Sequence, residues 1–532
     1  AGDCEPEVRV TAWQRVYQTY AVILEKSLQF SFIVVILAIG LIAFSVMQYQ
    51  KLGSDFLPAV DEGSYVLDYL APAGASLSDV DSFANKLETI IGNTPEVATW
   101  TRRTGAELGI FATQTNKGDI LVVLKPANQR KRKIEAIMDE QRDAIKSAVP
   151  QLDVDFHQIL QDQLNDLSGA PKPIEVRVFG ENPNRLRTIT DKVSSLIAPI
   201  PGIVDPSITS HQQAPKIDLH IDSVKAGRFG LTPAEVSTQV QDALFGTIVS
   251  QIRQGDRLVD VRLKLADTDK DTSKELALLP IVGTASRVLH LDQVATTEKG
   301  SEEREIYCEN QLRYASVEAE LENRDLGSVV HDVQKQIASV KAEDGYSLQL
   351  TGLYATQQQS FHELLMVSLL AAALVYLLLV IQFKSFLQPL AIFTALPLAM
   401  TGVICALYYT RTPLNVSSFM GVILLIGLVV KNGIILLEYT NRLRTGGLPL
   451  EKALVEAGKI RLRPIVMTTL CTLLGLLPLA IGLGAGAELQ KPLAIAVIGG
   501  LSLSTLLTLI VVPVAFLWLE KLASLARGGK PE

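Results

Sequence analysis

Hydrophobic positions fall into two patterns along the chain. Phe30 to Met47 (FSFIVVILAIGLIAFSVM) is a near-unbroken apolar run, and five more follow at about 362–382, 388–409, 417–439, 464–483 and 493–519. A helix needs about 20 apolar residues to cross the hydrocarbon of a bilayer, so each run predicts one transmembrane helix, six in all. From Lys51 to about Gln359 no run reaches that length, and short alternating stretches take over. There YVLDYLAP reads as a strand, SLSDVDSFANKLETIIG as a helix with Ser and Asp at its start, EVATWTRRTG and GDILVVLKP as strands, IEAIMDEQRDAIKSAV as a helix and LDVDFHQI as a strand. The order β-α-β-β-α-β is that of a ferredoxin-like unit. A second copy begins at PIEVRVFG, continues through NRLRTITDKVSSLIAPI and IVDPSITS, and resumes at EIYCENQLRYASVEAEL, LGSVVHDVQKQIASV and YSLQLTG. The segment between its halves carries an apparent hairpin, TIVSQIRQGDRLVDVRLKL.

The expected fold class is therefore a six-helix α-helical membrane domain joined to an α+β extracytoplasmic domain of ferredoxin-like repeats. The expected boundaries are 1–29 for a cytoplasmic lead, 30–50 for the first span, 51–172 for the first repeat, 173–213 with 305–355 for the split second repeat, 214–304 for the insertion, 360–520 for five spans and 521–532 for a cytoplasmic tail. Orientation follows from the loops. NRLRTGGLPLEKALVEAGKIRLRP, between the fourth and fifth spans, is rich in Lys and Arg and reads as a short amphipathic helix on the cytoplasmic face. The loops on the other side, around Arg411 and Lys491, hold one basic residue each. By the positive-inside rule both termini are cytoplasmic and the large block lies outside.

Candidate chemistry centres on the fourth span, GVILLIGLVVKNGIILLEY, where Lys431 and Asn432 interrupt the apolar run. An ammonium at membrane depth costs at least ~3 kcal/mol on insertion scales, so such a residue usually has work to do. The other five spans offer no interior acid: Glu363, Glu488 and Glu520 lie at ends or in loops, and Glu438 is two helical turns from Lys431. The counter-charge is expected from another polypeptide or from an upstream half that this chain, which begins at Ala1 rather than Met, does not include. The fifth span adds Arg461 and, inside its apolar run, Thr468, Thr469 and Thr472.

Composition narrows the functional classes. A net charge of −7 with no basic domain argues against nucleic acid. The four cysteines are scattered and no Cys/His ligand spacing occurs. No Ser/His/Asp, Cys/His or phosphate-loop constellation points to an enzyme.

The segments VVKNGIILLEY, RLRPIVMTTL and GAELQKPLAIAVIGGLSLSTLLTLIVVPV, together with the topology, resemble the C-terminal half of resistance–nodulation–division (RND) efflux permeases. That resemblance implies a trimeric inner-membrane secondary transporter with its large domain in the periplasm. It also implies proton flow in place of any cofactor, a periplasmic adaptor protein and an outer-membrane channel. It assigns Lys431, Arg461 and Thr468, with Asn432 beside them, to the proton relay, the relay aspartates coming from the missing N-terminal half. It places Ile110 and Phe111, in GAELGIFATQTNKGDILVVLKP, on the substrate path.

For substrate, Lys431 stands where metal pumps of this kind usually carry a glutamate. The soluble block has one methionine, Met138, where Cu(I) or Ag(I) would need thioether or thiolate ligands. Its histidines, His157, His211, His220 and His290 among them, are dispersed. These features favour a hydrophobic or amphiphilic substrate. LGSDFLPAVDEG resembles the metal-exporting branch and keeps a divalent metal of the zinc or cobalt type as the alternative. Related proton-driven protein-translocation factors are a further alternative, disfavoured by the two repeats and the insertion.

Overall fold

A computed structural model describes residues 12–526 apart from 59, 106–114, 161–162, 164–171, 209–212, 265–275, 304, 341–343 and 485. The chain opens with an amphipathic helix α1 (Ala12–Gln29) and the first apolar helix α2 (Ser31–Tyr49). A first α/β unit follows: β1 (Ser64–Leu70), α3 (Leu77–Gly92), β2 (Val97–Thr104), β3 (Lys117–Leu124), α4 (Ile134–Ala148) and β4 (Asp153–Gln158). Its strands lie in the order β2-β3-β1-β4, all antiparallel. α3 starts in a capping box between Ser76 and Asp79, and it buries Val80, Ala84, Leu87 and Ile91, the i, i+4, i+7, i+11 face that its sequence spacing sets out.

The second unit starts with β5 (Ile174–Phe179), α5 (Pro183–Ile197) and β6 (Ile203–Ile208). The insertion then runs β7 (Gln213–Ile221), α6 (Ser223–Arg228), α7 (Pro233–Phe245), β8 (Thr247–Gln254), β9 (Arg257–Leu263), β10 (Pro280–Val282), β11 (Val288–His290) and β12 (Ala295–Glu303). β7 and β12 pair antiparallel from Gln213↔Glu303 to Ile221↔Ala295, and β8–β9 is the expected hairpin, almost wholly exposed. The second unit resumes with β13 (Tyr307–Glu309), β14 (Leu312–Leu321), α8 (Leu326–Ile337) and β15 (Ser347–Thr351). EIYCENQLRYASVEAEL, a single stretch in the sequence reading, folds as a hairpin because Asn310 and Gln311 take left-handed backbone angles of +50° and +67°. β14 lies between β5 and β6, and β15 flanks β5 on the other side. The four strands therefore repeat the order of the first unit, second-third-first-fourth.

The remaining helices are α9 (Leu353–Phe383), α10 (Leu387–Phe393), α11 (Ala395–Tyr409), α12 (Val416–Thr445), α13 (Leu450–Ile481) and α14 (Ala487–Ala526). With α2, and with α10 and α11 forming one span, they give, among the described residues, six helices long and apolar enough to cross a membrane. α14 packs against α11, α12 and α13. A Cβ on Gly402 of α11 would stand 2.4 Å from the carbonyl oxygen of Gly499 in α14, so glycine sets that close approach.

One expectation is corrected. The basic connection before the fifth span is not a separate helix: α13 runs unbroken from Leu450 through Pro464 to Ile481. Its first turns bury Ala453, Leu454, Ala457 and Gly458, and a Cβ at Gly458 would meet the Tyr20 hydroxyl of α1 at 2.8 Å. Packing of this kind holds a helix through a proline that would interrupt it in isolation.

Candidate functional site

Lys431 lies in the middle of α12, whose start is fixed by a reciprocal cap: Ser418 N–H donates to Asn415 Oδ1 and Asn415 N–H to Ser418 Oγ, both at 2.9 Å. Buried positions along α12 include Val422, Leu425, Val429, Asn432 and Leu436, and the opposite stripe, Met420, Leu424, Gly427, Lys431 and Glu438, is exposed. Adjacent helical residues point about 100° apart, so Lys431 faces outward while Asn432 faces the bundle. Lys431 forms no ion pair among the described residues.

Asn432 is 4% exposed and its Nδ2 donates to Thr505 Oγ1 of α14 at 3.3 Å. The Thr505 hydroxyl donates to its own Leu501 carbonyl at 2.7 Å and lies 3.2 Å from the buried hydroxyl of Thr469 in α13. Asn432, Thr469 and Thr505 thus tie three helices together. Thr468 instead donates to Ile465 O at 3.1 Å, and Thr472 to Thr468 O at 3.0 Å, each within α13. Arg461 is half-buried, with its guanidinium 4.6 Å from the centre of the Tyr439 ring. Of the four expected relay positions, Asn432 joins the bundle cluster, Lys431 faces away from it, and Thr468 and Arg461 make other contacts. Thr505 was not singled out in the sequence, although SLSTLLT is a polar interruption in an apolar run of the kind Lys431 marks.

The second locus is a cleft of about 410 Å³ between the two α/β units, lined among others by Asp55, Glu135, Met138, Asp139, His157 and Glu320. Its wall includes a charged cluster drawn from both units. Arg142 of α4 reaches Asp205 of β6 at 2.9 Å and Asp139 at 2.8 Å, and Lys146 adds a contact to Asp205 at 2.5 Å. Asp205 is aimed there by a bulge between β6 and β14, with a φ of +48°. Lys172 meets Asp155 of β4 at 2.8 Å. Burial would raise the Asp155 carboxyl, but Lys172 and His157 beside it hold it below its ordinary value. Glu320 of β14 is 7% exposed. Its burial, with the negative Asp155 nearby, pushes it up to about 8.

Of the other expected residues, Ile110, Phe111 and His211 lie outside the described residues. His157 is 3.4 Å from Asp68, His290 Nδ1 is 2.9 Å from Leu278 O, and His220 lies 3.8 Å from Glu298 on the surface. Among the described residues no group of three or more His, Cys, Asp or Glu side chains converges as a metal-binding cluster.

Residues 9–520 match the model of the AcrB/AcrD/AcrF family. The chain belongs to that family. Its members are RND permeases, secondary transporters rather than enzymes, as the sequence resemblance implied. This RND chain is 33% identical over 525 residues to the cobalt-zinc-cadmium resistance protein CzcA of Cupriavidus metallidurans, covering 96% of this chain and 49% of CzcA. It is 26% identical over 490 residues to the cation efflux system protein CusA of Escherichia coli K12, covering 89% and 47%. A crystal structure of a heavy metal efflux pump superposes with a TM-score of 0.87 at 27% identity, covering 96% of this chain and 52% of that one. The chain spans about half the length of the curated relatives it matches.

Proposed function

We propose that this RND chain forms the C-terminal half of a proton-driven exporter of divalent metal ions of the zinc or cobalt type. The observation that carries the substrate class is the lining of the cleft: carboxylates from Glu135, Asp139 and Glu320 and the imidazole of His157, against the single thioether of Met138. Oxygen and imidazole donors suit zinc and cobalt and are poor ligands for Cu(I) or Ag(I). The metal-resistance relatives support the same choice. This replaces the hydrophobic or amphiphilic substrate favoured at the sequence level, which rested on the lysine at position 431 and the scarcity of methionine. The repeated strand order supports the ferredoxin-like reading of the two units, which would be the porter subdomains, and the insertion between β6 and β13 would be the docking subdomain.

The engine is the exposed Lys431 stripe. An ammonium facing lipid is costly, so this face is covered by the N-terminal half, whose relay aspartates pair with Lys431. Protonating an aspartate weakens that pair and lets the helices repack, which changes the cleft. Asn432, with Thr505 and Thr469, positions α12 against α14 and α13. Arg461 and Thr468 remain relay candidates near the same face. No cofactor is needed beyond the proton gradient. The assembly would be a trimer in the inner membrane, with its soluble units in the periplasm and an adaptor and outer-membrane channel as partners.

The test is accumulation in an efflux-deficient Gram-negative host that expresses the chain with a matching N-terminal half and adaptor. Lower cellular zinc and cobalt with unchanged retention of a hydrophobic dye is the expected result. Dye expulsion without metal expulsion would restore the hydrophobic substrate.

A further inference from the structure

Residues 53–56 lie between the start of the Lys431 helix and the second α/β unit, bonded to both. On the membrane side, Leu414 N–H donates to Gly53 O at 2.8 Å, Asp55 N–H to Leu414 O at 3.0 Å and Val416 N–H to Phe56 O at 3.3 Å, with Ser54 and Leu414 forming a parallel bridge. Val416 is the first residue of α12. Lys431, fifteen residues further on, is about 22 Å away along one stiff helix.

On the other side the same residues close the N-terminus of α8. The first amides of a helix have no partner within it. Here Leu326 N–H donates to Asp55 Oδ1 at 2.8 Å, Gly327 N–H to Ser54 O at 2.9 Å and Ser328 N–H to Asp325 Oδ2 at 2.9 Å. That Asp325 oxygen also accepts from Ser54 N–H at 2.9 Å. The fit leaves no slack: a Cβ on Gly53 would stand 2.7 Å from Asp325 Cγ, and one on Gly327 would stand 2.1 Å from Ser54 Oγ. α8 in turn buries Leu326, Val329, Val330 and Val333 in the core of the second unit. Asp55 and Leu326 also line the cleft between the units.

We infer that residues 53–56 are a rigid joint that carries displacement of α12 into the second unit through α8, with Asp55 and Asp325 as its positioning residues. The inference rests on the transport reading and deepens it. α12 cannot slide along its axis without drawing this segment with it or breaking the three bonds at Leu414 and Val416. The segment cannot leave α8 without uncapping that helix. Motion begun beside Lys431 is therefore delivered to one wall of the cleft. Burial of Asp55 pushes its carboxyl up to about 6, and the Leu326 amide opposes that rise.

The test uses the complete assembly in proteoliposomes, with zinc transport, zinc-driven proton uptake and zinc binding measured together. Asp55→Ala should lower transport and proton uptake at least tenfold while zinc binding stays within twofold. Asp55→Asn, which keeps an oxygen for the Leu326 amide, should restore most of the loss. A rigid joint stays closed through the cycle. A Cβ at position 327 lies 3.4 Å from Ser54 Cβ, within disulfide reach, so an oxidised Ser54→Cys/Gly327→Cys pair should transport like its reduced form. Wild-type transport by Asp55→Ala, or transport stopped by the cross-link, would overturn the joint. If wild type moves no zinc, the metal reading fails, and hydrogen exchange decides the joint separately. Lys431→Ala should then change protection of the Leu326 and Gly327 amides, and unchanged protection there counts against it.

Discussion

The charged cluster between the α/β units and the lysine of the membrane bundle handle charge in opposite ways. In the soluble cluster Arg142 and Lys172 each meet a carboxylate brought by a neighbouring element of the same chain, at 2.9 and 2.8 Å. In the membrane Lys431 lies on an exposed stripe and pairs with none of the described acids. The first site is electrostatically closed within this chain, and the second is open toward whatever covers α12. A closed site holds units together, whereas an open one is available to a partner and its protons.

The strongest test of the contrast is Lys431→Ala in the complete assembly. It should bring metal export to background, a loss of a hundredfold or more in transport rate, with normal membrane insertion. Export that survives would make the open site merely structural.

Next comes Arg142→Ala, which leaves the nearly buried Asp205 with Lys146 as its remaining cation, so the loss is at or below that of a fully broken pair. Removing one partner of a buried pair costs about 3–5 kcal/mol, to be read as a lower denaturation midpoint of the soluble region. An Arg142→Met/Asp205→Asn double variant should recover much of that loss, since both charges then leave together and asparagine tolerates the left-handed backbone at 205.

Glu320→Gln should act through pH. The folded value of about 8 lies above the ordinary 4.5, so the folded state holds the proton more tightly than the unfolded chain. Its contribution favours folding below pH 4.5 and is lost as pH rises toward 8. The glutamine variant should flatten that fall and be more stable than wild type at pH 8, as denaturation at pH 5 and pH 8 would show. Asp155 has the opposite sign, with its stabilisation lost as pH falls below the ordinary carboxylate range.

The smallest effect is expected from Thr505→Val. Hydrogen bonds between membrane helices average about 0.6 kcal/mol, so unfolding in detergent should shift only slightly. A large loss would mean that the Asn432–Thr469–Thr505 cluster does more than position α12.

The strands and helices of both units were legible because each packs one face, and alternation or helical spacing records that face directly. Lys431 was legible because one charge in an apolar run has no local excuse. The continuity of α13 was not: Pro464 and its flanking arginines look like a boundary, whereas the helix runs through it packed against α1, α12 and α14. Asp205 gave no local signal, since its role depends on a bulge against a strand more than a hundred positions away. Residues 53–56 were noticed only for resembling metal exporters. Their partners at 325–328 and 414–416 are distant in sequence, and spacing rules do not see such contacts.

The pairing of β7 with β12 along their whole length has an evolutionary consequence. Because the two ends of the insertion are zipped side by side, the second unit experiences that excursion as a hairpin stem. Closing a loop grows costlier only slowly with its length, and here the stem has already brought the ends together. What lies beyond the stem is thus free to lengthen, shrink or be exchanged without disturbing the sheet that hosts it. Such a module can change in size and sequence while the sheet that carries it is kept.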